Sequence, residues 1–154
     1  MYELLFGLSG VAMISWLLML LLPKWRVTYM IVKWAVFPLT LSFLYLVGLT
    51  YYTVNHGISF VNDFGSYEGV IQLLTVPEVA IIAWLHILAF DQLVGRMIYL
   101  ENMERRSVHL IVQSICLYLT LMVGPIGYLL YMVLKRRRQL NDTGLGVRGT
   151  LYHH

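Results

Sequence analysis

Four long apolar stretches, separated by charged or turn-rich connections, set the pattern of this 154-residue chain. An α-helix rises about 1.5 Å per residue, so about 20 apolar residues cross the roughly 30 Å hydrocarbon core of a bilayer. The stretches at 4–22, 29–54, 72–95 and 108–134 are all of about that length or longer. The pattern therefore predicts an all-α integral membrane bundle of about four transmembrane helices.

The ends of these stretches carry stop and interface signals. The first stretch ends at residues 23–26, Pro-Lys-Trp-Arg, and proline, tryptophan and cations are typical of a membrane interface. Proline interrupts helical hydrogen bonding, so we expect bends at Pro38 in the second span and at Pro125, next to Gly124, in the fourth. Ser107 precedes the fourth span and is expected to cap it.

Composition also indicates a membrane protein. Hydrophobic residues make up 59% of the chain and charged residues 12%, whereas globular domains average about 45–50% and about 25%. We expect one membrane domain, residues 1–138, followed by a polar tail, 139–154, whose terminal His pair is typical of a tag remnant. A cleaved signal peptide is disfavoured because no basic segment precedes the first apolar run.

The distribution of charge leaves the orientation open. With four crossings, the first and third connections share one side with six Lys and Arg residues, and the other five lie in the C-terminal tail on the opposite side. We favour the cytoplasm for the first and third connections. The basic run 135–138 directly follows a span, which indicates either a hidden fifth crossing or competing signals. The net charge of +3 is best explained by anionic lipids at helix ends, because no basic groove or stacking motif indicates nucleic acid.

The stretch 75–96 carries ionisable residues inside an otherwise apolar run, namely Glu78, His86 and Asp91. Placing such a group in hydrocarbon costs about 2.5–3.5 kcal/mol for Asp on insertion scales, so these residues usually face a partner, a cavity or a ligand. We therefore predict His86, Asp91 and Glu78 as catalytic residues. Two structural alternatives remain. Thr75 and Glu78 match a helix capping box, which places Glu78 at the interface, and His86 can hydrogen-bond across helices.

Three further residues are predicted to bind a ligand: Trp84, Arg96 and His109. Trp84 is expected beside His86, on the bundle interior, either as packing or as the wall of an apolar cleft that accepts a lipid-like chain. Arg96 and His109 are expected to meet Asp91 near one interface. Asp91 and Arg96 lie about 140° apart on an ideal helix, so this cluster requires the helix to end or unwind between them.

Motifs for most familiar chemistries are missing from the sequence. The chain has no glycine-rich phosphate loop, no Cys-x-x-Cys, no His-x-x-x-His and no Gly-x-Ser-x-Gly. Its single cysteine, Cys116, is interpreted as a packing residue. We predict no metal site and no cofactor. A haem held by His86 and His109 is the alternative, although these two residues are expected at different depths.

Several of these residues occur together in a known family. The segment 84–96, WLHILAFDQLVGR, followed by Arg-Arg at 105–106, His109 and Gly-Pro-Ile-Gly at 124–127, resembles the ABA4-like family of small membrane proteins. The resemblance extends over residues 5–137. It implies a plastid or bacterial membrane protein of roughly four helices. The family's named plant member is required for forming neoxanthin from violaxanthin.

The resemblance and the residues together leave three functions open, and whether the chain is an enzyme stays open with them. The first function is binding of a lipid-like, carotenoid or other isoprenoid ligand, with the chain as an accessory subunit of a larger membrane complex. The second is an isomerase that opens a carotenoid epoxide, in which Asp91 or Glu78 donates a proton and His86 accepts one. Trp84 would then stabilise positive charge through a cation–π contact. The third is a haem or metal electron-transfer module.

The expected surroundings follow from the same reasoning. The expected partners are membrane lipids, an isoprenoid ligand and other membrane proteins, with no nucleic acid. The expected location is a bacterial inner membrane or a plastid membrane.

Overall fold

The computed structural model describes the backbone of residues 1–150 and the side chains of residues 1–140. Eight α-helices follow one another: α1 (Tyr2–Ser9), α2 (Val11–Leu21), α3 (Arg26–Lys33), α4 (Val36–His56), α5 (Tyr67–Thr75), α6 (Pro77–Arg105), α7 (Leu110–Val123) and α8 (Pro125–Thr150), with a 3-10 helix at Ser59–Gly65 between α4 and α5. The predicted tail, 139–154, starts inside α8. Its terminal His pair lies outside the described residues.

Three helical segments are long and apolar enough to cross a membrane. These are α1 with α2 (20 residues), α3 with α4 (31 residues) and α6 (29 residues). The described residues contain no strand. The prediction of an all-α membrane bundle is therefore confirmed.

Helix α6 is the centre of the bundle, because it packs against each of the other seven α-helices. Helices α1 and α2 run parallel to α6, and α3 and α4 run antiparallel to it. At one end Gly48 of α4 faces Leu5 and Ile82. At the other end the Tyr99 hydroxyl of α6 donates a hydrogen bond of 2.6 Å to the Pro23 carbonyl, just after α2.

The second crossing breaks one turn before the proline that we expected to bend it. Ala35, between α3 and α4, has a left-handed backbone with φ 54° and ψ 32°. Pro38 lies in the first turn of α4. A proline ring clashes with the carbonyl four residues earlier, here that of Trp34, so the first helix ends at that point and a second one starts.

Helix α6 extends further than the predicted third span, 72–95. Residues 96–105 were expected to form a charged connection, but they continue the helix as far as Arg105. This segment contains no glycine or proline, and its Ile98 and Tyr99 side chains are fully buried. Packing of these apolar residues outweighs the charges that suggested a loop. The helix ends where Arg106 adopts φ 53°.

The last apolar segment, 108–134, is a helical hairpin and not the kinked crossing that we expected. A Cβ atom added to Gly127 of α8 would collide with the Cys116 carbonyl and with Thr120 of α7. In one continuous helix, residues 116 and 127 would lie about 16 Å apart. Helix α8 therefore folds back on α7 at Gly124. Helix α7 has 14 residues, about 21 Å, which is too short to cross a hydrocarbon core of about 30 Å.

The hairpin starts and ends at the same end of the bundle. Lys135 of α8 forms an ion pair with Glu101, close to the C-terminus of α6. The tip of the hairpin, Gly124, lies against Asp91, which is the midpoint of α6. The tip therefore reaches only about half the depth of the bundle.

This topology collects the positive charges at one end, which we call the basic end, where α2 and α6 finish. All ten Lys and Arg residues of the range 1–140 lie on that half of the bundle. The opposite, acidic end carries none of those cations and four acids: Glu3, Asp63, Glu68 and Glu78. The conflict between loop and tail charges therefore disappears, and the positive-inside rule favours a cytoplasmic basic end.

Cysteine labelling distinguishes the hairpin from a fourth crossing. In a Cys116→Ser background, a membrane-impermeant maleimide should label Ser107→Cys and Leu140→Cys from the same side of sealed vesicles. It should label Ser66→Cys from the other side. Labelling of Leu140→Cys from the same side as Ser66→Cys would show a full crossing.

A pair of glycine substitutions tests the packing inside the hairpin. We expect Gly127→Ala to lower the free energy of unfolding by about 1–3 kcal/mol, as overpacking does, because the added methyl group meets backbone atoms. Gly7→Ala is the matched control, since nothing lies within 4 Å of its added Cβ. The control should be neutral or more stable by up to about 1 kcal/mol. Equal effects in reversible unfolding by SDS would contradict the hairpin packing.

Candidate functional site

A cavity of about 500 Å³ lies between α4, the 3-10 helix, α5 and α6. Aliphatic and aromatic side chains from all four elements form its wall. His86 of α6 is the one imidazole in the described lining, and Tyr45 and Tyr52 of α4 bring the hydroxyl groups. The cavity belongs to the half of the bundle toward the acidic end.

The connection between α4 and α6 folds into a cover for this cavity. The Ser66 hydroxyl accepts a hydrogen bond of 3.0 Å from the Gly69 N–H and so starts α5. A side chain on Gly69 would strike the Asp63 carbonyl, so glycine lets α5 pack against the 3-10 helix. Phe60 meets the Tyr52 ring edge-on at 5.4 Å between centroids. The connection between α4 and α6 was expected to be a simple loop. It is instead a folded segment that forms part of the cavity wall.

Sequence reasoning missed the cavity residues contributed by this cover. They are Phe60, Val61, Phe64, Val70, Leu73 and Leu74. The spacing of Phe60 and Phe64, one helical turn apart, was the available signal. The Asn, Gly and Ser residues around these two phenylalanines indicated a loop instead.

His86 lines the cavity, while Trp84 does not. The His86 ring lies 5.3 Å from the Tyr45 ring and 4.7 Å from the Phe90 ring, centroid to centroid. No hydrogen bond joins its ring nitrogens to another described residue. Two residues turn a helix by about 200°, so Trp84 faces away from His86. Trp84 is 43% exposed on the outside of the bundle, and the expected pair of His86 and Trp84 facing the interior is not formed.

Glu78 lies in the first turn of α6, half-buried at the acidic end. The expected capping box is not formed. Val76 precedes the helix without a side-chain cap, and the Thr75 hydroxyl donates to the Gln72 carbonyl at 2.6 Å. Pro77 is favoured at the first helical position, so α6 starts after Val76 and Glu78 is one position too early to reach back.

Asp91 lies at the hairpin tip and not at the cavity. Its Oδ1 atom is 3.1 Å from the position that a Cβ on Gly124 would occupy. Gly124 also has φ +53°, so this position favours glycine for both its backbone conformation and its lack of a side chain. Asp91 is half-buried and makes no hydrogen bond or ion pair with another described residue.

Arg96 and His109 satisfy helix ends, and the expected cluster with Asp91 is not formed. The Arg96 Nε and Nη2 atoms each donate a hydrogen bond of 2.9 Å, to the carbonyls of Val32 and Lys33. The break at Ala35 leaves the Lys33 carbonyl without a helical partner, whereas the Val32 carbonyl also accepts a hydrogen bond of 3.1 Å from the Ala35 N–H. Because α6 stays helical between Asp91 and Arg96, their angular separation persists.

His109 caps α7 in place of Ser107. Its Nδ1 atom accepts a hydrogen bond of 3.4 Å from the Ile111 N–H. His109 is therefore a helix cap at the basic end, whereas His86 lines the cavity toward the acidic end. The described residues contain no group of three His, Cys, Asp or Glu side chains placed to hold a metal ion.

Two amide side chains of α6 were also missed, and they join α6 to α2 and α7. Gln92 accepts a hydrogen bond of 2.9 Å from the Ser15 hydroxyl and donates one of 2.9 Å to the Ala12 carbonyl. Asn102 donates to the Gln113 side chain at 2.7 Å. Both amides are buried. Gln92 directly follows Asp91 and Asn102 lies six residues beyond Arg96, and this closeness to the predicted site residues was the signal in the sequence.

The family comparison agrees with this arrangement of helices. A family model described as ABA DEFICIENT 4-like matches residues 4–131. The chain belongs to the ABA4-like family. The match covers the three crossings of this ABA4-like chain and ends inside α8. Neither the curated proteins nor the solved structures gave a match.

Removing the Arg96 side chain tests its role at the break in the second crossing. We expect Arg96→Met to lower the free energy of unfolding by about 2 kcal/mol, because hydrogen bonds from charged groups contribute about 1.5–3 kcal/mol. Arg105→Met, exposed at the end of α6, is the control and should change stability by less than about 0.5 kcal/mol. Similar losses for both variants in SDS unfolding would contradict the capping role.

Proposed function

We propose that this ABA4-like chain binds the end of an isoprenoid chain, such as a carotenoid, in the cavity that His86 lines. The observation that carries the proposal is an apolar cavity of about 500 Å³ with a single imidazole in its described wall. This volume lies within the range of about 300–1,000 Å³ that is typical of small-molecule sites. It is enough for one end of a long apolar ligand, with the remainder in the bilayer.

The ligand enters sideways from the membrane. Four apolar residues of the lining are largely exposed on the outside of the bundle: Val61 (57%), Phe64 (61%), Leu74 (51%) and Ile87 (52%). They belong to the 3-10 helix, α5 and α6, so the cavity opens between these elements toward lipid. An apolar chain therefore reaches it without passing through water.

Specificity in this cavity depends on its polar and aromatic groups. Lipid tails are as apolar as the cavity wall, so burial alone gives little preference for one apolar chain over another. A neutral imidazole offers one hydrogen-bond donor and one acceptor. The His86 nitrogens are free of other described residues and are available to a hydroxyl or epoxide oxygen on the ligand. Tyr45, in the cavity wall beside His86, provides a ring face for a conjugated chain.

Binding is favoured over catalysis by the position of the carboxyl groups. Epoxide opening with proton loss requires both an acid and a base at the ligand. The described lining of the cavity does not include Glu78 or Asp91, so His86 has no carboxyl partner there. We therefore favour a binding protein, which fits an accessory subunit that holds a pigment or lipid for a larger complex.

Binding of violaxanthin, which has epoxide and hydroxyl groups, and of β-carotene, which has neither, tests the proposal in nanodiscs. We expect Ile87→Trp to weaken binding of both, because the larger side chain obstructs the cavity where it opens toward lipid. Ile115→Trp, at a 50% exposed position on α7, is the control and should bind normally. His86→Phe should weaken violaxanthin binding about tenfold, because it removes one hydrogen bond that contributes about 1 kcal/mol or slightly more. The same variant should leave β-carotene binding unchanged. His86→Gln should retain part of the preference.

Two outcomes would contradict the proposal. If Ile87→Trp binds both carotenoids as well as the control does, the cavity is not the site. If His86→Phe weakens both ligands equally, the imidazole packs against the chain and does not recognise its polar end.

A further inference from the structure

The hairpin brings two basic segments together that are far apart in the sequence. Arg105 and Arg106 end α6, and the run from Lys135 to Arg138 lies in α8. The ion pair between Lys135 and Glu101 fixes the second segment beside the first. A fourth crossing would instead have placed them on opposite sides of the membrane.

Most of the charge in this region is not neutralised within the described residues. Lys135 and Glu101 neutralise each other. Five arginines remain, which we call the arginine patch: Arg105, Arg106, Arg136, Arg137 and Arg138. All five are exposed, and Glu104 is the one further acid in the described part of these segments. The patch therefore carries a strong local positive charge.

The depth of the patch matches the headgroup region of a bilayer. Glu101 lies ten residues beyond Asp91, the midpoint of α6. Ten helical residues rise about 15 Å, which is half the thickness of a hydrocarbon core of about 30 Å. Arg105 and Arg106 follow within the next turn or two, so they lie at headgroup level. Trp25, 49% exposed at the same end, is typical of that region.

We propose that the arginine patch binds the phosphate groups of anionic phospholipids in the surrounding leaflet. A guanidinium group donates two parallel hydrogen bonds to a phosphate, which makes arginine suited to phosphate recognition. Exposed cations at this depth also attract an anionic membrane surface. A membrane lipid satisfies both the charge and the position of the patch. The hairpin thereby anchors its open end at the interface while its tip stays inside the membrane.

The proposal is tested with fluorescent phosphatidylglycerol as the probe, in phosphatidylcholine nanodiscs that contain the full chain. The triple variant Arg136→Gln, Arg137→Gln, Arg138→Gln should weaken the association at least about fivefold. The corresponding triple substitution to Lys keeps the charge and should retain most of the affinity. The double variant Lys24→Gln, Arg26→Gln removes cations at the same end but outside the patch, and should have a smaller effect than the triple Gln variant.

Three results would overturn the proposal. Unchanged association in the triple Gln variant would show that the patch does not bind the lipid. An equal loss per charge removed in the Lys24 and Arg26 variant would show a general charge effect and no local site. Displacement of the probe by free glycerol phosphate at similar concentration would show a site for a soluble phosphate and not for a membrane lipid. Circular dichroism of each variant confirms that the helices are retained.

Discussion

Backbone polar groups inside a membrane need hydrogen-bond partners, and side chains of α6 donate hydrogen bonds to backbone carbonyls close to the points where neighbouring helices break or end. Gln92 donates to the Ala12 carbonyl, just after the irregularity between α1 and α2. Arg96 bonds the two carbonyls at the end of α3, and Tyr99 bonds the Pro23 carbonyl after α2. The positions 92, 96 and 99 are spaced so that they lie on one face of a helix. This polar face fixes the first two crossings around α6.

Another face of the same helix forms the candidate binding site. Val79, Ala83 and His86 line the cavity with the same spacing of four and three residues. Polar residues inside the membrane thus have two different roles in this chain. Arg96 is paired to backbone groups of the protein. The His86 nitrogens have no described protein partner, and the His86 side chain is exposed and lines an apolar cavity. The partner of each polar residue, and not its polarity, separates structural from functional candidates.

The sequence allowed the membrane class and the first three crossings to be predicted, because hydropathy is a local feature. The same local pattern singled out His86 as an ionisable residue inside an apolar stretch, and its functional role stays a prediction. It did not distinguish a kinked crossing from a hairpin, since Gly124-Pro125 suits both. The contact that shows the hairpin is the one between Gly127 and both Cys116 and Thr120. A hydropathy pattern carries no information about this contact. The distribution of Lys and Arg was the available signal. A fourth crossing would place the five cations of the C-terminal segment on the side opposite the other six. Likewise, the expected cluster around Asp91 failed because the length of α6 depends on packing of Ile98 and Tyr99.

The hairpin also changes the interpretation of Asp91. A carboxyl group at the midpoint of a crossing is costly unless its surroundings favour the charge or hold the proton. Asp91 touches the tip at Gly124, directly before the first turn of α8, where the N–H groups of a helix are unpaired and its dipole is positive. This helix end offsets part of the cost of a carboxylate at that depth. The irregular backbone at the hairpin tip provides polar groups next to Asp91. Asp91 is therefore better explained by its contact with this tip than by chemistry shared with His86, which lines the cavity on another side of α6.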